Sequence, residues 1–167
     1  MRPLWIACLA LLPGLALLSG LPSAYAEEHQ YKAGDLSIVT PWSQELPPNS
    51  PTVAVYFVLR NLGISDDTLN SVDTPIAATA QLHQHISQDG MMKMQQVQGV
   101  IIPANGRAVF APMNFHVMLL DIKDRGSLQA GKTFPITLHF EKAGDFVVNV
   151  EVLKQAPADD AAPAHNH

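Results

Sequence analysis

Two histidines and three methionines crowd into LHQHISQDGMMKM (82–94), and another His–Met pair follows as FHVM (115–118). Together they offer neutral ring nitrogens and thioether sulfurs. Thioethers are weak ligands for zinc, calcium or magnesium but good ones for Cu(I), and imidazole binds copper in either oxidation state. Cys8 is the chain's one cysteine and lies in an N-terminal apolar run. No thiolate is therefore on offer for a blue-copper electron-transfer site. A thiol-free donor set suits an oxidising compartment, with methionine sulfoxide as its weakness. The plain alternative is that strand methionines fill gaps in a core. Five of six methionines fall in 91–118, beside His83, His85 and His116, which is more clustering than packing requires. Met91 and Met113 are left as packing or supporting residues.

The elements that must position these donors read as strands. TVAVYFVLRN (52–61) alternates strongly, as do LSIVTPW (36–42), TFPITLHFE (133–141) and DFVVNVEV (145–152). Further strands are expected at 68–72, 78–86, 91–97 and 115–122, with short ones around the ANG turn in 99–112. Many short strands with little helical periodicity predict an all-β sandwich or barrel. Ile136, Leu138 and Phe140, and likewise Phe146, Val148, Val150 and Val152, are expected on core faces. The 82–97 segment should be a hairpin in one of two registers. With Gln88-Asp89 as the turn, His83 faces Met94; with Asp89-Gly90, His85 faces Met94 and His83 is its diagonal neighbour. In both, these side chains share a face, as do His116 and Met118 on their own strand.

At these positions the chain resembles the periplasmic PCu(A)C copper chaperones. His83, Met94, His116 and Met118 match the family's H-x10-M-x21-H-x-M pattern. VYFVLRNLG, DGMMKMQQV and PITLHFEKAGDFVVNVEV are also similar to the family's strands, so the likeness runs from about 36 to 153. The resemblance implies a cupredoxin-like Greek-key sandwich or barrel. It implies one Cu(I) held at an exposed edge by His83, Met94, His116 and Met118, selecting His83 over His85. It further implies delivery to the CuA centre or related copper sites of cytochrome oxidase, so the expected partner is a copper-accepting oxidase subunit or another periplasmic copper chaperone. The family often has glycines just before the second histidine, where this chain has PMNFH (112–116). Asn114 is the residue expected to take a positive φ there, and Met113 is a competing donor. Imidazoles titrate near pH ~6.5, so Cu(I) affinity should fall below about pH 6.

Residues 1–26 have the layout of a secretory signal peptide: Arg2, an apolar run broken by Pro13 and Gly14, then SAYA with cleavage expected after Ala26. An uncleaved anchor is the alternative. Cys8 sits inside the apolar run rather than at its end, which argues against a lipid-anchored cysteine. Export to the periplasm follows, with no stable membrane insertion once the leader is removed. Residues 27–35 read as a polar lead-in, 36–153 as the copper-binding domain and 154–167 as a disordered tail. Cleavage after Ala26 would put His29 third in the mature chain, the ingredients of a square-planar Cu(II) or Ni(II) site. His165 and His167 in the tail are weaker Cu(II) candidates. His139 alternates out from a core strand and stays unassigned.

The net charge of −5 excludes a basic nucleic-acid-binding surface. There is no G-x-S-x-G, H-E-x-x-H, phosphate loop or free thiol outside the leader, so an enzyme finds little support. Asp66-Asp67 and Asp159-Asp160 read as solvated charge. Two other readings compete: a copper storage or resistance protein that buffers without delivery, and a structural β-sandwich with incidental methionines.

Overall fold

TVAVYFVLRN forms a strand over Thr52–Asn61, burying Val53, Val55, Phe57 and Leu59 on one face. In the computed structural model, which describes residues 30–157, this strand is the third of eleven. The strands are β1 (Gln30–Ala33), β2 (Leu36–Gln44), β3 (Thr52–Asn61), β4 (Asp67–Asp73), β5 (Ala77–Gln88) and β6 (Met91–Gln96). They continue as β7 (Val100–Ile102), β8 (Arg107–Phe110), β9 (Phe115–Ile122), β10 (Thr133–Phe140) and β11 (Gly144–Leu153). Among the described residues the only helical turn is a short 3-10 segment at Gly126–Leu128. The all-β expectation holds. The polar lead-in carries β1, antiparallel to β2.

The strands pair in the order β6-β5-β9-β8-β3-β2-β11-β10-β4-β7. The path changes layer where β11 meets β2 in a short parallel pairing. Phe57, Leu59, Leu82 and Val117 from one layer share a single buried cluster with Leu69, Ile136, Leu138 and Val148 from the other. That shared burial makes the sheet a sandwich around one core. In the last hairpin Ile136 faces Val148 and Leu138 faces Phe146, so the two predicted apolar stripes form one face. Removing the apolar area of such side chains from water, at about 25 cal/mol per Å², is the main force holding the layers together.

Two acidic pairs were read as solvated charge, and Asp67 departs from that reading. It is 6% exposed, and its carboxylate accepts the backbone N–H groups of Thr68, Lys142 and Ala143. It ties the β4 entry to the β10–β11 turn, so its role is structural. Asp66 accepts from the Ala104 N–H. Asp159-Asp160, like the leader, lies outside the described residues.

Candidate metal centre

The β5–β6 hairpin settles its own register. Asp89 and Gly90 both have positive φ, 54° and 76°, as a two-residue type I′ turn requires. His85 therefore faces Met94, and His83 faces Gln96. On its other side β5 pairs with β9, so that His83 faces His116 and Gln81 faces Met118. Directly paired residues project to the same side of a sheet. One face thus gathers Gln81, His83 and His85 from β5, Met94 from β6, and His116 and Met118 from β9. The opposite faces of β5 and β9 bury Leu82, Val117 and Leu119 in the core.

The donor atoms are held by identifiable partners. His116 is 2% exposed, and its Nδ1 lies 3.3 Å from the Asn114 carbonyl oxygen. A carbonyl only accepts, so Nδ1 carries the proton, and in the neutral ring Nε2 keeps a lone pair. That Nε2 stands 3.0 Å from the Met94 sulfur. Two lone-pair donors face each other, an arrangement that a shared cation would satisfy. His83 donates through Nε2 to the Gln81 side-chain oxygen at 2.9 Å, leaving its Nδ1 bare. The Nδ1 atoms of His83 and His85 are both buried without a hydrogen-bond partner. The His83 and His85 rings lie 5.6 and 5.1 Å from the His116 ring.

Burial lowers the His83 pKa, and the nearby His85 lowers it further. Burial likewise lowers that of His116, against the opposing Asn114 hydrogen bond and with help from His85 and His83. Both shifts favour the neutral, metal-competent ring. Tyr56 walls the site 6.4 Å from His116, and Trp42 packs on Tyr56 at 4.7 Å. Trp42 is buried outside the central cluster, beyond a break in the β2–β3 register where Thr40 has positive φ.

The loop before β9 corrects one expectation. Asn114 N–H bonds to Ala111 O, closing a turn with Pro112 and Met113 at its centre. The positive φ, 65°, falls on Met113 and not on Asn114. Asn114 instead accepts the Phe115 N–H through its side chain. Met91 and Met113, read as packing or supporting residues, are about 60% exposed and fill no core.

Among the described residues no three His, Cys, Asp or Glu side chains are placed to hold a metal. As the side chains stand, the donors that meet are the His116 nitrogen and the Met94 sulfur, and a thioether disfavours hard, oxygen-seeking cations such as calcium and magnesium. A larger cleft lies elsewhere, between the 44–50 loop and the 125–130 segment. A single ion requires converging donors rather than volume, so the His/Met face is the better candidate. His29, His165 and His167 lie outside the described residues. His139, left unassigned, has both ring nitrogens engaged: Nδ1 lies 2.8 Å from Asp145 and Nε2 lies 2.9 Å from Asp73. Asp145 is its partner across the β10–β11 hairpin, and nothing local in the sequence pointed to Asp73.

Solved structures with this fold include copper domains. The apo PCuAC domain from PmoF1 is 27% identical with a TM-score of 0.65, covering 77% of this chain and 100% of that one. The Cu(I)-bound protein DR1885 from Deinococcus radiodurans is 28% identical with a TM-score of 0.58, over 70% of this chain and 76% of that one. The copper-bound PCuAC domain from PmoF2, at 24% identity and a TM-score of 0.65, covers 76% of this chain and 99% of its own and shows the fold alone. An uncharacterised protein of Rickettsia prowazekii is 30% identical over 71% of this chain and 67% of its own length. A putative lipoprotein of Leifsonia xyli subsp. xyli is 28% identical over 66% of each chain. This chain thus spans about two thirds of the length of those relatives. The family described as "Putative lipoprotein LpqE-like" matches residues 36–152, and the chain belongs to it.

Proposed function

We propose that this protein is a copper chaperone of the exported compartment, binding Cu(I) as cargo through His83, Met94, His116 and Met118. It is a carrier and not a catalyst. The observation that carries this reading is the 3.0 Å approach of a bare His116 nitrogen to the Met94 sulfur, from strands separated by β5. The orphaned His83 Nδ1 and the position of Met118 beside Gln81 support the same donor set. Likeness to PCuAC domains, one of them a Cu(I) form, supports copper as the ion.

The site's chemistry suits transfer. Neutral donors hold a soft monovalent ion without a thiolate's grip. Met94 is 51% exposed while His116 is buried. An incoming partner therefore meets a thioether first and can displace it before the imidazole lets go. The recipient in this reading is a copper site of cytochrome c oxidase, reached directly or through a second periplasmic chaperone. The lipoprotein description of the family and of one relative supports export; the leader supplies the route.

Cu(I) titration against a competing chelator, with X-ray absorption on the wild type, Met94→Ala and His116→Ala, tests the site. One Cu(I) with mixed nitrogen and sulfur ligation is expected, with sulfur lost in the first variant and nitrogen in the second. Transfer to an apo oxidase subunit tests delivery. Tight binding without transfer would replace delivery by storage.

A further inference from the structure

We propose that His85, with His83 and His116, forms a three-imidazole Cu(II) site overlapping the Cu(I) site, so that copper stays bound in either oxidation state. This rests on the copper reading above and extends it to a residue outside the four-donor pattern. His83 and His85 are two apart on β5 and project to one side of it. His116 stands directly opposite His83, with His85 one step along the diagonal. Two imidazoles on one ion, each with nitrogen near 2.0 Å from the metal, bring their ring centroids roughly 4.5 Å apart in adjacent positions and roughly 6.3 Å apart in opposite ones. The His85–His116 separation of 5.1 Å and the His83–His116 separation of 5.6 Å lie between those values.

As the side chains stand, their nitrogens do not yet meet at a point. Rotation of the rings is what remains: His83 and His85 each hold a buried Nδ1 without a partner, and turning the His83 ring exchanges its Nε2 hydrogen bond to Gln81 for the metal bond. Cu(II) favours nitrogen and oxygen in tetragonal arrangements over thioether sulfur. Cu(II) supplied as such would sit nearer His85, which faces Met94 directly across the hairpin, than Cu(I) does. Water completes the coordination on the exposed side.

The test uses the full chain carrying His29→Ala, His165→Ala and His167→Ala, which removes the terminal histidines as competitors. Cu(II) is added to one equivalent and read by electron paramagnetic resonance. Coupling to three nitrogens is expected. His85→Ala should reduce it to two and weaken Cu(II) binding at least about ten-fold, while Cu(I) affinity changes less than about three-fold. His85→Gln, which keeps a long side chain on the strand, repeats the comparison if the alanine variant misfolds. Unchanged Cu(II) spectra in the variants overturn the proposal, as does a parent spectrum with only two nitrogens. An equal loss of Cu(I) and Cu(II) affinity also overturns it, by making His85 an ordinary ligand of both. Failure of the parent to bind Cu(I) defeats the chaperone reading instead and leaves the Cu(II) comparison readable.

Discussion

The Met94 sulfur lies 3.0 Å from His116 Nε2, although Met94 is on β6, His116 is on β9, and β5 runs between them. The two side chains reach across β5 to meet, and their unequal burial separates ligation from stability. Met94 is half exposed and His116 almost wholly buried. Met94→Leu keeps the apolar bulk and removes the sulfur. We expect Cu(I) affinity to fall roughly ten-fold or more, with the apo protein's melting temperature unchanged. His116→Ala should cost Cu(I) affinity and also lower apo stability by about 1–3 kcal/mol, through the cavity it leaves. Chelator competition and denaturant unfolding of the apo forms check both halves. Equal apo stabilities for the two variants would contradict the burial argument.

Acid should release copper, but at a lower pH than free imidazole would dictate. Protons compete with Cu(I) for the ring nitrogens, and burial lowers the pKa of both His83 and His116. Affinity should therefore stay flat as pH falls from 8 to about 6 and decline only below that. The same shifts act on the apo fold. Depressed native pKa values mean that the unfolded chain binds protons first, so stability is lost as pH drops through the unfolded value of about 6.5. A pH series of Cu(I) competition titrations decides the point; a decline already complete by pH 7 would contradict it.

Local pattern carried the strands that bear the site. The expected 52–61 and 115–122 runs coincide with β3 and β9, because alternation with β-branched residues is a period-two signal that burial on one face enforces. The hairpin register was open between two turns; positive φ at both Asp89 and Gly90 resolves it in favour of the Asp-Gly dipeptide. What sequence could not carry is pairing at long range. Asp67 with Lys142 and Ala143, or His139 with Asp73, depend on strands brought together by the whole sheet. β1 was missed because QYKA is too short and polar to alternate; β2 supplies its hydrogen-bonding partner.

Met113 occupies a conformation better suited to glycine. Its φ of 65° follows Pro112 in a turn closed by Asn114 N–H and Ala111 O. Proline then a positive φ is the type II pattern, which favours glycine at the second position. A left-handed backbone costs a side-chain-bearing residue about 1–2 kcal/mol, and glycine gives part of that back through its extra freedom when unfolded. We expect Met113→Gly to raise stability by about 0.5–1 kcal/mol, a few degrees in melting temperature. Cu(I) affinity should stay within about two-fold, because Met113 is not among the proposed ligands. A loss of affinity comparable to that of Met94→Leu would make Met113 a ligand after all.

His139 is placed to pin three strands in acid and release them in base. It lies on β10 between Asp145 of β11 and Asp73 of β4, at 2.8 and 2.9 Å. Both bonds need both ring N–H groups, hence the charged ring. The Asp145 hydrogen bond is the main cause raising the His139 pKa, with Asp73 adding to it against the cost of burial. The raised native value means that this stabilisation is complete below the unfolded pKa of about 6.5 and is lost as pH climbs through the native one. The aspartates are 80% and 70% exposed, so the contribution should be modest, of the order of 1 kcal/mol or less. His139→Gln should therefore lower the melting temperature at pH 5.5 and leave it nearly unchanged at pH 9. A deficit of the same size at both values would mean that the side chain contributes packing and no charge.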